Sequence, residues 1–228
     1  MSETLGELSP PFSGKIKKRP ARPSLSLTPS PSSDGVLPLG LQHNITKVTE
    51  DIFVSGKEVI DNLTLLDSLA INALINCCRE RPTDHMPPRI EHLHLGVEDS
   101  PTENIVWAFK DCNSFIDRII AEGGKVLIHC NAGMSRSVSV AMAYLIDRRG
   151  YSLIRSFELL KSTRKQASPN AGFMKQLALW EKAKLGVKTC SLDLEKYKND
   201  RFASAAEVAM SNEESEDDAN HVCSVELR

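Results

Sequence analysis

The chain has 228 residues, of which 41% are hydrophobic and 25% are charged, and its formal net charge is −2. This size and composition suit one domain with a sizeable core, and the near-neutral charge excludes a general attraction to nucleic acid. No apolar run has the length of a signal peptide or a transmembrane segment, and six irregularly spaced cysteines indicate a reducing compartment, so we expect a cytoplasmic protein.

Residues 1–42 differ from the rest of the chain because they are rich in proline and serine and poor in apolar periodicity. Such a segment cannot bury enough apolar surface to offset the entropy that is lost on ordering. We therefore predict a disordered N-terminal tail over residues 1–42, followed by one folded domain over residues 43–187.

The predicted domain contains short apolar runs separated by helical patterns. Five runs have the length and composition of strands: 45–48, 52–54, 71–77, 90–95 and 125–128. Residues 61–70 carry leucines at the spacing of a short amphipathic helix. This alternation predicts an α/β domain with a single central mixed sheet flanked by helices.

An acidic loop follows the fourth predicted strand and contains Asp99. The next residues, Ser100 and Glu103, have the spacing of a capping box, with Pro101 at the first helical position. We therefore predict that Asp99 lies on the loop immediately before a helix, where a carboxylic acid can serve as a general acid. Two alternatives stay open: Glu98 is the acid, or Asp99 only complements the helix dipole.

The segment HCNAGMSRS, residues 129–137, joins the fifth predicted strand to a helix whose apolar stripe begins at Val138. Backbone N–H groups of such a turn converge on an anion at the helix N-terminus, and Gly133 allows the backbone to curl tightly. Donors that hold a phosphate also favour a thiolate, which makes Cys130 a candidate nucleophile. Arg136 adds a planar, charged fork for two phosphate oxygens.

The other residues of this segment have supporting roles in the same hypothesis. We expect Ser137 to donate a hydrogen bond to the Cys130 sulfur when that sulfur is the leaving group. His129 is expected to orient the loop rather than act as a base. The residues predicted to bind phosphate are Asn131, Ala132, Gly133, Met134, Ser135 and Arg136.

Three segments together resemble the cysteine-dependent protein tyrosine phosphatase superfamily, and in particular its small, atypical dual-specificity phosphatases. The pattern His-Cys, five residues, Arg, Ser in residues 129–137 matches the superfamily signature. The Asp99 loop is similar to the general-acid loop, and the segment from Pro169 to Phe173 resembles one in which an asparagine, here Asn170, braces the active-site loops. Asn170 as a simple helix N-cap is the alternative.

The resemblance implies a dual-specificity phosphatase fold, a phosphocysteine intermediate, Asp99 as the general acid, and no metal or cofactor. One departure is that Arg164-Lys165 stands where the family often has Arg-Pro. Because lipid-directed relatives often carry lysine inside the loop, its uncharged interior favours a phosphoprotein substrate, on tyrosine and on serine or threonine. The alternatives are a phosphatase for phosphoinositide, carbohydrate or RNA phosphate, or a weakly active phosphate-binding module.

The two tails allow further hypotheses. Basic residues between Lys15 and Arg22 precede Leu25 and Leu27, a pattern that resembles the docking peptides of mitogen-activated kinases. The same basic run is typical of nuclear localisation or lipid contact. Residues 188–228 are polar and end in an acidic run, so we predict a disordered C-terminal tail.

Cys77 and Cys78 end the third predicted strand. In the fold that the resemblance implies, this strand can lie next to the strand of the nucleophile. Either the two residues are buried thiols, or one of them traps oxidised Cys130 in a disulfide.

Overall fold

The computed structural model describes residues 44–80 and 87–201, so the predicted tail over residues 1–42 lies outside the described residues. Five strands form one sheet: β1 (Ile45–Lys47), β2 (Ile52–Ser55), β3 (Ile71–Asn76), β4 (Glu91–His94) and β5 (Lys125–His129). Their order is β1-β2-β5-β3-β4, in which β1 is antiparallel to β2 and all other neighbours are parallel. The predicted single mixed sheet is confirmed.

Helices cover both faces of this sheet. They are α1 (Leu63–Ser68), α2 (Val106–Ala121), α3 (Arg136–Arg149), α4 (Leu153–Thr163) and α5 (Ala171–Leu185), with a short 3-10 helix at Lys57–Val59. In α3, every residue from Arg136 to Ile146 is buried, so this helix lies in the centre of the domain. No helix within residues 44–80 and 87–201 combines the length and apolarity needed to cross a bilayer.

Alternate residues of β5 face two different apolar clusters, as the period of a strand requires. Val126 and Ile128 belong to the larger cluster, which α2, α3 and α5 cover. Leu127 belongs to a smaller cluster with Leu65 and Leu66 of α1. Because β2, β3 and β5 are parallel, their carboxyl ends meet at one edge of the sheet, which is where ligands bind in open α/β sheets.

The predicted capping box is wrong. Helix α2 begins at Val106, and Ser100 and Glu103 instead form a turn in which the Glu103 N–H donates to the Ser100 carbonyl at 3.1 Å. The start of α2 is capped by Gln176 of α5, whose Oε1 accepts hydrogen bonds from the N–H groups of Ile105 and Val106 at 2.9 and 3.3 Å. Asn104 Oδ1 also accepts from the Val106 N–H at 3.1 Å, so a tertiary contact and a later local one together replace the predicted cap.

Residues 188–201 lie against the domain, and residues 194–201 of this segment are helical. Cys190, Leu192 and Leu194 contact the larger apolar cluster, and Tyr197 is only 8% exposed. The boundary predicted at residue 187 is therefore too early, because the polar composition of this segment hides a few apolar side chains that find buried sites. Residues 202–228 of the predicted C-terminal tail lie outside the described residues.

Candidate active site

The loop of residues 129–137 lies at the carboxyl end of β5, the middle strand of the sheet. Cys130 directly follows β5 and is buried, with its Sγ 3.3 Å from Oγ of Ser137 in the first turn of α3. The sulfur therefore lies at the N-terminus of a buried helix, where the peptide dipoles favour negative charge.

Four successive carbonyl groups of this loop accept hydrogen bonds from donors outside it. These bonds are Lys57 N to Asn131 O at 3.0 Å, Arg164 Nη2 to Ala132 O at 3.1 Å, Arg164 Nε to Gly133 O at 2.5 Å, and Ser168 N to Met134 O at 2.9 Å. Within residues 44–80 and 87–201, the N–H groups of Ala132 to Ser135 donate to no protein acceptor. Since the C=O and N–H of one peptide unit point in opposite directions, these N–H groups are free to bind an anion.

Arg164 is the residue that sequence reasoning missed. Its side chain is 2% exposed, and besides the two loop carbonyls it donates to Asn44 O at 3.0 Å and to Thr46 Oγ1 at 3.4 Å. In the sequence, Arg164 stands out only as part of a departure from the family pattern. No local signal could have identified its role, because most arginines are exposed and nothing in the sequence shows that this one is buried.

Gly133 is required by both backbone conformation and space. Its φ is +66°, and a Cβ at this position would contact the Arg164 side chain and the backbone of Ser55 in β2. Any other residue would therefore be strained and would also displace the guanidinium that holds the loop.

Arg136, the first residue of α3, connects the loop to the segment that carries Asp99. Its Nη1 donates to the Val97 carbonyl at 3.1 Å, and its Nε lies 3.7 Å from Asp99 Oδ2. The Arg136 side chain is 8% exposed, whereas that of Asp99 is 36% exposed. The guanidinium is therefore fixed in the site, and the carboxylate beside it faces solvent.

The two acidic residues proposed as alternatives lie in different surroundings. Asp99 Oδ1 accepts hydrogen bonds from Ser135 Oγ at 2.7 Å and from Asn170 Nδ2 at 2.9 Å. The Glu98 side chain is 62% exposed, and its carboxylate lies 3.9 Å from Arg79. The structure thus brings Asp99, and not Glu98, into contact with the loop of Cys130.

Asn170 both caps α5 and braces the active-site loops, which were the two alternatives for this residue. Its Oδ1 accepts from the Phe173 N–H at 2.9 Å as the N-cap of α5, while its Nδ2 donates to Asp99. Its backbone N–H also donates to Ser135 Oγ at 3.0 Å. In the first turn of α5, a Cβ on Gly172 would overlap the Pro101 carbonyl, so the absence of a side chain lets α5 lie directly against the loop of Asp99.

His129 is buried at the end of β5. Burial lowers the pKa of His129 to about 4, and the neighbouring His92 and His94 contribute in the same direction. The imidazole is therefore neutral at physiological pH. Its backbone carbonyl accepts a hydrogen bond from the Cys77 N–H at 2.9 Å, which joins the base of the loop to the end of β3.

The pairing of Asn76 with His129 places Cys77 beside Cys130 at the sheet edge. Burial raises the pKa of Cys77 well above its ordinary value, and it raises the pKa of Cys78 to about 11. Both thiols therefore stay protonated near neutral pH, and the Cys78 Sγ lies 3.2 Å from Asn131 Oδ1. Because a thiolate is needed for disulfide exchange, these surroundings favour two buried thiols over a redox partner.

Known proteins resemble this chain in sequence and in fold. Residues 52–183 match the family model described as dual specificity phosphatase, catalytic domain. The chain is 42% identical over 116 residues to rat dual specificity protein phosphatase 5, a match that covers 51% of this chain and 30% of the rat protein. The chain therefore spans less than a third of that relative's length.

Two further matches cover most of the other protein. The chain is 33% identical over 140 residues to dual specificity protein phosphatase 1B of Arabidopsis thaliana, a match that covers 61% of this chain and 83% of the plant protein. The crystal structure of human DUSP28 matches with a TM-score of 0.59 and 28% identity, covering 61% of this chain and 94% of that chain.

Proposed function

The chain belongs to the dual specificity phosphatase family, and from this premise we propose that it hydrolyses phosphate monoesters of tyrosine and of serine or threonine in proteins. The observation that carries the proposal is the loop of residues 129–137. There a cysteine, a row of free N–H groups and a buried arginine surround one position that suits a phosphate group.

In the first proposed step, the Cys130 thiolate attacks phosphorus in line with the oxygen that leaves. The N–H groups of the loop and the Arg136 guanidinium bind the other three phosphate oxygens, on which charge accumulates. Asp99, in its protonated form, donates its proton to the departing oxygen of the substrate side chain. An S–P bond forms, the P–O bond breaks, and the dephosphorylated protein leaves with the proton of Asp99.

In the second step, water hydrolyses the phosphocysteine. Asp99, now a carboxylate, accepts a proton from the attacking water, and the S–P bond breaks. The Ser137 hydroxyl, 3.3 Å from the sulfur, donates a hydrogen bond to the thiolate that leaves. Both steps use the same groups, and neither requires a cofactor.

His129 and Asn170 have supporting roles in this proposal. His129 is neutral and buried, so it holds the base of the loop and leaves the proton transfers to Asp99. Asn170 contacts both Asp99 and Ser135, so it fixes the distance between the acid and the phosphate-binding loop.

The proposal is tested with the full chain under reducing conditions on an aryl phosphate, phosphopeptides and phosphoinositides. Cys130→Ser is expected to abolish turnover, and Asp99→Ala to lower kcat on phosphopeptides by about 10²- to 10⁴-fold. Cys112→Ala serves as the control, because Cys112 is a buried cysteine of α2, outside the loop of residues 129–137.

The substrate that the chain hydrolyses distinguishes the proposal from its alternatives. Turnover of phosphopeptides that depends on Cys130 supports the proposal. A preference for phosphoinositides would replace the protein substrate with a lipid, and phosphate binding without turnover would indicate a binding module.

The N-terminal residues support a separate proposal on partners and location. The basic residues between Lys15 and Arg22, followed by Leu25 and Leu27, suit docking to a mitogen-activated kinase in the cytoplasm or nucleus. These residues lie outside the described part of the chain. Binding of a peptide of residues 14–28 to such a kinase, compared with the same peptide carrying alanine at both leucines, is the test; equal binding by the two peptides would contradict docking.

A further inference from the structure

Residues 188–201, which we call the C-terminal extension, lie beyond the segment that matches the family model. The extension contacts residues 168–170, which we call the bridging loop. The Tyr197 hydroxyl donates to the Pro169 carbonyl at 2.6 Å, and Arg201 Nε donates to Ser168 Oγ at 3.1 Å. Part of the chain outside the matched domain is therefore hydrogen-bonded to the loop that braces the site.

The opposite side of the bridging loop contacts the active site. The Ser168 N–H donates to the Met134 carbonyl at 2.9 Å, and the Asn170 N–H donates to Ser135 Oγ at 3.0 Å. Ser135 Oγ in turn donates to Asp99 Oδ1 at 2.7 Å. The bridging loop therefore lies between the C-terminal extension on one side and the proposed phosphate-binding loop and Asp99 on the other.

One peptide unit connects the two sides. The carbonyl that Tyr197 binds and the N–H that Ser135 binds belong to the same planar group, between Pro169 and Asn170. A rotation of this peptide plane changes the directions of the Pro169 carbonyl and the Asn170 N–H together. The hydroxyl of Tyr197 therefore fixes the direction of the N–H that orients Ser135, and with it the contact to Asp99. Hydrogen bonds in series of this kind also strengthen one another.

The C-terminal extension is itself firmly attached to the domain. Glu181 of α5 is 1% exposed, and its carboxylate accepts from the N–H groups of Leu153 at 2.8 Å and Ser191 at 3.0 Å. Burial raises the pKa of Glu181, but the hydrogen bonds from Ser191 and Leu153 outweigh this effect and lower it, so the carboxylate stays ionised. This buried charge holds the start of the extension against α4 and α5.

The ring of Tyr197 is also packed against the domain. It lies edge-on to the ring of Phe157 in α4, with the centroids 5.3 Å apart. Burial raises the pKa of Tyr197 to about 12, so its hydroxyl remains a hydrogen-bond donor throughout the physiological range. The donor to the bridging loop is therefore fixed in both place and protonation state.

We propose that Tyr197 is a positioning residue, which holds the bridging loop so that Ser135 and Asp99 keep the geometry needed for proton transfer to the leaving group. This inference rests on the proposed function, and it extends that function to a residue outside the matched domain. Tyr197 does not touch the substrate. Its effect passes through the Pro169 peptide group.

The test compares Tyr197→Phe with the wild-type full chain on substrates with good and poor leaving groups. The change removes one hydroxyl and keeps the ring against Phe157. We expect kcat on phosphoserine and phosphothreonine peptides, whose leaving groups need a proton, to fall by about three- to tenfold. Turnover of an activated aryl phosphate, whose leaving group needs little protonation, should stay nearly constant, and KM should change little.

Two control variants separate positioning from a general loss of stability. Tyr151→Phe removes a hydroxyl from a half-buried tyrosine whose ring lies under Arg155 rather than at the bridging loop. Arg201→Gln alters the contact to the Ser168 side chain but leaves the Pro169 peptide group alone, so its effect should be smaller than that of Tyr197→Phe. An unchanged dependence on the leaving group in Tyr197→Phe would overturn the proposal.

A second measurement separates this inference from the proposed function. If the wild-type chain hydrolyses no phosphate ester, the proposed function fails. Amide hydrogen exchange at Asn170 and across residues 130–137 then tests the positioning itself. Faster exchange in Tyr197→Phe than in Tyr151→Phe supports the anchoring contact, and equal exchange contradicts it.

Discussion

The two loops that form the candidate site are held in different ways. The phosphate-binding loop is fixed through its backbone, since four successive carbonyls accept hydrogen bonds from Lys57, Arg164 and Ser168, and Gly133 has no space for a side chain. The loop of Asp99 is fixed to it through side chains, by Ser135, Asn170 and Arg136. The proposed anion site is therefore held in place by backbone contacts, whereas the proposed acid depends on a few side-chain contacts.

The strongest way to break the rigid loop is Gly133→Ala. A Cβ there would collide with Arg164 and β2 at a residue with positive φ, so we expect kcat/KM to fall by about 10²- to 10³-fold, together with a loss of orthovanadate binding. Gly150→Ala is the matched control, because Gly150 has φ of +63° and nothing within 4 Å of a built Cβ. Equal losses in the two variants would show that backbone strain alone, and not the contact with Arg164, explains the effect.

Acid should destabilise the base of the rigid loop. The pKa of His129 is about 4 in the folded chain and 6.5 in the unfolded one, so the unfolded state takes up a proton first as the pH falls. We expect this group to lower the free energy of unfolding by up to about 3 kcal/mol between pH 6.5 and pH 4, with its full contribution present above that range. Urea unfolding across this range provides the measurement, and His129→Gln should give a flatter profile. The same slope in both proteins would exclude His129 as the cause.

Arg164→Lys tests how much of the rigidity comes from one side chain. Lysine cannot reproduce the fork that serves Ala132 and Gly133, so at least one buried carbonyl is left unpaired. We expect kcat/KM to fall by about tenfold and the free energy of unfolding by about 2 kcal/mol. Arg155→Lys, at a site where the guanidinium lies over the Tyr151 ring and away from the loop, should change neither value appreciably.

Asn170→Ser addresses the side-chain contacts of the acid. Serine preserves an oxygen for the N-cap of α5 but loses the donor to Asp99. The expected result is a fall in kcat of about fivefold on serine and threonine phosphopeptides, with a change in stability below about 1 kcal/mol. Asn62→Ser, at the N-cap of α1, makes the same exchange on a helix of the smaller apolar cluster. If both variants lose stability and neither loses activity, Asn170 is only a cap.

The site residues that the sequence predicted most directly are those that form a recognisable motif within one short segment. Cys130, Gly133 and Arg136 share one turn, and a thiol, a glycine and a guanidinium at this spacing indicate an anion site. Their mutual placement follows from the strand and helix on either side, which have clear apolar patterns. Asp99 was predicted from its place on an acidic loop and Asn170 from a resemblance, and the structure adds the hydrogen bond that joins them.

The features that the sequence did not predict depend on contacts between distant segments. Arg164 is a polar residue whose burial has no signature in the sequence, so only the folded chain shows that it braces the loop. The start of α2 was misplaced because Gln176 of another helix caps it together with Asn104. Tyr197 lies in a stretch of polar composition, and its contact with Pro169 has no local signature.

The position of β5 between β2 and β3 also links the site to the order of folding. The strand that carries Cys130 pairs with segments near residues 52–55 and 71–76, which are far from it in sequence. Such long-range pairing is slow, because the entropy of closing the intervening chain is lost before the contacts form. We therefore expect the phosphate-binding loop to form only when the sheet is complete, so that recovery of anion binding during refolding reports completion of the sheet rather than formation of any single helix.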